Sequence, residues 1–301
     1  LRKSCQRDRD IANVAGDGQG GTLYVTATPI GNLQDISQRA IDVLSSAELI
    51  AAEDTRRTRI LLTHLGISAR LISCREHNEA DSASKIVGVL ESGRDVALVT
   101  DAGTPALSDP GRRVVQTVRR HGLGIVPVPG PSAITAALSV SGMPADRFHF
   151  EGFLPPRKGA RCRRLDELAL LDCTLVFFEA PHRLVSTLGD MLCHLGDRET
   201  FMARELTKLH ETLEMSKISV LLEQVSLNGV KGEITLVVKG AESTARRITE
   251  DMHSAFHDIL SGMVSGGVPT KQAAMLLSTI SGLPKRTFYE MALSVKGRHE
   301  V

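Results

Sequence analysis

From Thr22 onward two hydrophobic rhythms alternate along the chain. Short, mostly apolar runs read as buried strands: LYVTAT (23–28), LIAAE (49–53), RLISC (70–74), DVALVT (95–100) and GIVPVP (124–129). Between them apolar residues return every three or four positions. ISQRAIDVLSSA (36–47) puts Ile36, Ala40, Val43 and Leu44 on one face, and further helices are predicted near 55–64, 79–91, 111–121 and 132–141. Such strand–helix alternation predicts a parallel sheet with helices on both sides.

The texture changes around 142–160, where GMPADRF reads as a linker. FHFEGF (148–153), TLVFFEA (174–180), ETFMARELT (199–207) and GEITLVVKG (232–240) then read as strands, with helices near 161–170, 182–195 and 216–226. The tract 203–215 has room for two strands joined tightly, so this second sheet is expected to be mixed. After a break at 241–247 the pattern turns helical, with two helices around a Gly-Leu-Pro turn. That segment reads either as a helix-turn-helix, with Lys271, Lys285 and Arg286 available for backbone contacts, or as a small appendage packed on itself or on a partner chain. The predicted fold class is α/β. It comprises an N-terminal α/β domain with a parallel sheet (22–142), a second α/β domain with a mixed sheet (143–241) and a helical C-terminal appendage (248–301). Residues 1–21 lack an apolar core segment and read as a disordered leader or appended remnant.

Composition narrows the function. The 301 residues are 42% hydrophobic, enough to bury real cores. A net charge of +1 provides no global field to gather nucleic acid, so a polyanion must be met by local patches. With no Trp and two Tyr, extensive base stacking is disfavoured. Cys5, Cys74, Cys162, Cys173 and Cys193 are scattered without CxxC spacing, which argues against a disulfide framework or a metal site and for a reducing cytoplasm. No run of eighteen apolar residues predicts a membrane span.

The chemistry gathers at strand ends. GDGQGG (16–21) fits a dinucleotide fingerprint literally but precedes the first strand, so it lacks the context that fingerprint needs. Four other stretches follow strands: TATPIGNLQDIS (26–37), LVTDAGTPALSDPG (98–111), PVPGPSAITAAL (127–138) and FFEAPHR (177–183). Open α/β sheets bind ligands outside the carboxyl ends of their strands. Glycine and proline there let backbone approach a ligand, while Ser132 also fits a helix cap. No Walker lysine follows the glycines, so a neutral or cationic ligand with adenine-like edges suits these loops better than phosphate.

These loops, with EDTRRTRILLTHLGI (53–67), GFLPPRKGAR (152–161) and RELTKLHE (204–211), resemble in order the ribosomal-RNA branch of the tetrapyrrole methylase superfamily, from about Leu23 to Gly240. The resemblance implies a two-domain fold with S-adenosylmethionine in the interdomain cleft, and ligand spacing indicates no metal. It also implies methyl transfer to the ribose 2′-oxygen of a cytidine in the decoding region of 16S rRNA. The substrate would be the small ribosomal subunit, and the enzyme a cytoplasmic homodimer. Carried over residue by residue, Gly103, Thr104, Leu107, Ser132 and Ala133 contact the methyl donor, Pro29 joins them, and Phe178, Leu206 and Glu233 close the site. Relatives acting on porphyrinoids carry Asp in a GGDP loop where this chain has Gly103-Thr104-Pro105, a departure that disfavours a porphyrinoid substrate.

A ribose hydroxyl needs a proton acceptor during attack. Candidates are Glu53, Asp54, Glu179 and His182. Glu53 and Asp54 stand beside Arg56, Arg57 and Arg59 and read as arginine partners and helix cap, which leaves Glu179 as the preferred base, with Arg183 to orient it or bind a phosphate. For RNA, PPRKGARCRR (155–164) offers Arg157, Lys158, Arg161, Arg163 and Arg164 with no acid among them, read as a phosphate-clamping loop opposite Arg56, Arg57 and Arg59. Five such contacts would steepen the log–log salt slope by about 3–4. Two rivals remain at this stage: a methylase of porphyrinoids or of a modified histidine in a translation factor, and a catalytically idle RNA-binding protein that kept the fold.

Overall fold

The computed structural model describes residues 20–241, 253–281 and 285–296. Strands β1 (Thr22–Thr26), β2 (Leu49–Ala52), β3 (Leu71–Ser73), β4 (Val96–Val99) and β5 (Gly124–Val128) form a parallel sheet ordered β3-β2-β4-β1-β5. Helices α1 (Gln38–Ser46), α2 (Thr55–His64), α3 (Glu79–Glu91), α4 (Arg112–Arg120) and α5 (Ala133–Ser141) alternate with them. Successive strand residues point to opposite faces. Leu49 and Leu98 therefore pack with Ile86, Leu90, Val114 and Val118 of α3 and α4. Their neighbours Ile50 and Ala97 pack with Ala40, Leu44 and Leu62 of α1 and α2. Burial on both faces is why β2 and β4 are apolar throughout.

The second sheet is ordered β6-β7-β10-β8-β9, from β6 (Phe148–Phe153), β7 (Thr174–Glu179), β8 (Glu199–Arg204), β9 (Thr212–Lys217) and β10 (Ile234–Val238). β6 and β7 are parallel and the other pairs antiparallel, so the sheet is mixed. Helices α6 (Lys158–Leu168), α7 (Leu184–Leu195) and α8 (Ile218–Asn228) complete this half. The expected tight join within 203–215 is instead a long loop, 205–211. Its Glu205 and Thr207 take positive φ (53° and 65°). The loop has a reason to be long: it reaches the first half, where the Asn32 amide donates to Thr207 Oγ1 at 3.0 Å.

Both sheets lie in one compact unit, which runs to Ala169 and resumes over Cys173–Lys239. They share a core in which Ile30, Ile134 and Leu138 meet Val176, Phe201, Leu206 and Val237. Two glycines permit the close approach. A Cβ on Gly31 would lie 2.7 Å from Thr207 Oγ1 and 2.8 Å from the Leu206 carbonyl. A β-bulge in β6 turns Gly152 to φ +74°, where a Cβ would lie 2.8 Å from Ser108 Oγ.

A second unit comprises Leu170–Asp172 and the chain from Gly240 on. Its helices α9 (His253–Ser265), α10 (Thr270–Ser281) and α11 (Lys285–Lys296) bury Leu260, Ala273, Leu277 and Phe288. The Phe256 and Phe288 rings meet edge to face at 5.0 Å. Lys271 is exposed, while the side chains of Lys285 and Arg286, the Gly-Leu-Pro turn, most of the 241–247 break and residues 1–19 lie outside the described residues. No described helix is long and apolar enough to cross a membrane.

Candidate functional site

Strand order explains how distant loops converge. β1 lies between β4 and β5, so the segments leaving all three emerge side by side at their carboxyl ends. Thr28 and Gly103 exchange backbone hydrogen bonds (2.9 and 3.0 Å), Thr28 Oγ1 donates to the Thr100 carbonyl at 3.1 Å, and Thr104 Oγ1 donates to the Pro131 carbonyl at 3.3 Å. The 101–111 loop is strained. Ala106 and Ser108 hold φ of 67° and 63° without being glycine.

These loops and the second sheet enclose a cavity of about 410 Å³. Gly103, Thr104, Leu107, Ser132 and Ala133 line it from the first half, and Phe178, Leu206 and Glu233 from the second. Pro29 does not line it. That residue is buried, and its neighbour Ile30 supplies the wall. Ser132 stands at the start of α5 without a capping side-chain bond, so its hydroxyl is not committed to the helix. The charge pattern is lopsided: Glu53, Asp101, Asp109, Glu179 and Glu233 face one cation, Arg57. Backbone-rich loops, apolar walls and excess carboxylate suit a cationic ligand with a flat heterocycle, and the volume falls in the range of small-molecule sites.

Glu179 is 3% exposed and already engaged. Oε1 accepts from the Ala180 amide at 2.8 Å, and Oε2 accepts from Thr187 Oγ1 at 2.6 Å. Arg183 Nε stands 3.4 Å from Oε1, while its Nη2 donates to the Leu154 carbonyl at 2.7 Å. This geometry makes Glu179 and Arg183 anchors of the cavity wall. His182 is exposed and does not line the cavity.

Glu53 and Asp54 part company. Asp54 caps α2 through the Arg56 amide (2.9 Å) and pairs with Arg56 Nη2 (2.7 Å). The hydrogen bond to Arg56 holds its carboxyl well below the usual carboxylate range. Glu53 has no such arginine partner among the ion pairs of the described residues; it turns inward and accepts from Thr100 Oγ1 at 2.7 Å. Sequence reasoning missed Asp101, Ser108 and Asp109, although all three lie in the stretch it singled out. Burial raises the pKa of Asp101, which still accepts from the Asp54 amide at 3.0 Å.

A second cavity, about 740 Å³, adjoins the first. The two share Glu53, Asp101, Ser108 and Asp109. Arg56, Arg75, Arg112 and Arg113 line the second cavity together with Asp54, Glu76, His77 and Glu79. Arg56 and Arg75 face Asp54 at 2.7 and 3.6 Å. Arg112 and Arg113 are exposed on the first turn of α4.

The expected basic clamp changes form. From Lys158 on it is helix, not loop. Arg161 is 5% exposed, with its guanidinium on Asp190 at 2.7 Å and on the Pro156 carbonyl at 3.2 Å. It is an internal brace. Arg164 grips both oxygens of Glu151 at 2.7 Å and Glu167 at 2.6 Å. Arg157, Lys158 and Arg163 stay exposed. Across the cleft, Arg57 leans on Asp101 at 3.5 Å and Arg59 is exposed. Among the described residues no group of three His, Cys, Asp or Glu is arranged to hold a metal ion.

The model of the tetrapyrrole (corrin/porphyrin) methylase family matches residues 22–221. The ribosomal RNA small subunit methyltransferase I of Escherichia coli O157:H7 is 42% identical over 286 residues, covering 94% of this chain and 98% of that protein. Its namesake from Xylella fastidiosa is 45% identical over 273 residues, covering 89% and 98%. Uroporphyrin-III-C-methyltransferase from Thermus thermophilus shares the fold, with a TM-score of 0.55 at 20% identity over 73% of this chain and 94% of that one. With the family's pattern covering residues 22–221 and relatives aligned almost end to end, this methyltransferase belongs to the tetrapyrrole methylase family.

Proposed function

We propose that this protein transfers a methyl group from S-adenosylmethionine to the ribose 2′-oxygen of a cytidine in the decoding region of 16S rRNA. The reading includes the assembled small subunit as substrate, a homodimeric enzyme and a cytoplasmic location. The observation that carries it is a carboxylate-rich, apolar-walled cavity, suited to a sulfonium, that adjoins a second cavity where exposed Arg112 and Arg113 can meet phosphate. The end-to-end similarity to proteins named for small-subunit ribosomal RNA supports the same acceptor.

When bound, the donor supplies an electrophilic methyl on positively charged sulfur. The protein's own part is placement. The 101–109 loop and Ser132–Ala133 offer backbone to an adenosine, Phe178 and Leu206 exclude water, and Glu53 and Asp101 bring negative charge. Alignment within roughly 3–3.5 Å supplies most of what a displacement at carbon requires.

The test uses small subunits from cells lacking this enzyme, incubated with labelled S-adenosylmethionine and the protein. Mass spectrometry of RNA fragments is expected to find the label on one cytidine ribose. Label on a base, or only on protein, overturns the ribose assignment.

Only Arg157, Lys158 and Arg163 of the basic segment are exposed and outside the ion pairs described above, so their joint replacement by alanine is expected to flatten the log–log salt dependence of subunit binding by about 2. Adding Arg161→Ala should lower stability without flattening it further. An unchanged slope for the triple variant removes this surface from the interface.

A further inference from the structure

Asp109 occupies the wall common to both cavities, at the end of the strained 101–109 run. Of the three carboxylates on that wall, Glu53 accepts from Thr100 Oγ1 at 2.7 Å, and Asp101 accepts from the Asp54 amide at 3.0 Å and faces Arg57 at 3.5 Å. Asp109 is the remaining carboxylate there, beside the space for the donor and facing the space for the acceptor.

Resting on the function proposed above, we infer that Asp109 accepts the proton of the attacking ribose hydroxyl and that the second cavity seats the acceptor nucleotide, with Arg112 and Arg113 on its flanking phosphates. In the step, the hydroxyl oxygen bonds to the methyl carbon as the carbon–sulfur bond breaks. The electron pair stays on sulfur, which becomes neutral, and the hydroxyl proton passes to an Asp109 oxygen.

The electrostatic surroundings agree. Burial, with Glu53, Asp101 and Glu233 nearby, outweighs the hydrogen bond from Thr100 and pushes the Asp109 carboxyl up to about 6. Of the cations, Arg57 is turned to Asp101, and Arg56 and Arg75 to Asp54. Arg112 and Arg113 extend from α4, whose amino end is already held by the buried Glu79 carboxylate. A base with its pKa just below the working pH is mostly ionised yet still takes a proton readily.

Asp109→Asn is nearly isosteric. It is expected to lower kcat by about 100-fold or more, the usual contribution of a positioned base. S-adenosylmethionine affinity by calorimetry and KM for small subunits should stay within about twofold, since neither depends on proton transfer. The wild-type rate should rise with pH through an acid limb near 6, and the variant's residual rate should lack that limb. Glu53→Gln removes one neighbouring charge and should move the limb to lower pH. Arg112→Ala with Arg113→Ala should raise KM and spare kcat. Wild-type turnover by Asp109→Asn, or a retained limb, overturns the assignment and leaves the proposed function standing, as does loss of donor binding in that variant. Methylation of a base or protein by the wild-type enzyme overturns both.

Discussion

Glu79→Ala is expected to lower the unfolding free energy by about 3 kcal/mol, the scale of stranding several buried donors of a charge-assisted network. Helix α4 begins at Gly111, which has no side chain to cap it. Glu79 provides the cap from α3. It is 5% exposed, and its Oε1 accepts from the amides of Gly111 at 2.9 Å, Arg113 at 2.6 Å and Val114 at 3.4 Å. A carboxylate at the positive end of the helix also offsets the two arginines of its first turn. Alanine removes all three acceptor contacts at once. Water from the adjoining cavity recovers part of the loss, which is why the figure is not larger. Glu79→Gln keeps an acceptor oxygen without its charge and should cost about a third as much. Circular dichroism should register the alanine change as a fall in Tm of about 8 °C. An alanine variant as stable as the wild type would mean that α4 is capped by something else.

Gly103→Val is expected to weaken S-adenosylmethionine binding by at least about 100-fold, or some 2.8 kcal/mol. Gly103 holds φ +87° while exchanging hydrogen bonds with Thr28 and lining the first cavity. A Cβ there meets Ile30 Cγ2 at 3.5 Å and the Pro131 carbonyl at 3.8 Å, which is ordinary contact. Alanine therefore suffers mainly the left-handed backbone, about 1 kcal/mol, and should bind only several-fold more weakly. Valine adds two methyls that have nowhere to go but into the cavity or against those neighbours, and branching worsens the backbone cost. Titration calorimetry on both variants, with far-UV dichroism to check folding, separates blockage from collapse. Valine binding within threefold of wild type would show that this glycine is outside the donor site.

Much of the architecture was legible because it rests on local rules. Both the uninterrupted apolar runs of β2 and β4 and the three-to-four spacing of Ala40, Val43 and Leu44 are properties of consecutive residues. The mixed character of the second sheet followed from the room between residues 203 and 215, while the length of the loop there did not, because its reason is Asn32. Turn chemistry at strand ends marked the cavity loops, and of the nine donor contacts that the family resemblance implied, eight line one hollow. Pro29 fails because which of two adjacent residues faces a cavity depends on local twist, not on composition.

Charges were a different matter. A basic run with no acid in it looked free, but Arg161 finds Asp190 29 positions away and Arg164 finds Glu151 13 positions back. Glu53 looked like a partner for its neighbouring arginines, but it takes its proton donor from Thr100, 47 positions on. Asp109 gave no signal within its own stretch alone, because its character comes from burial and from Glu53 and Glu233, which the fold brings to that stretch from two other segments. The amino-acid order by itself determined which segments become strands, helices and ligand-facing loops, since backbone preference and apolar periodicity act over a few residues. Only the tertiary structure decided which charges are spent inside the protein and which remain for a ligand, since Coulomb forces and desolvation depend on distance in space.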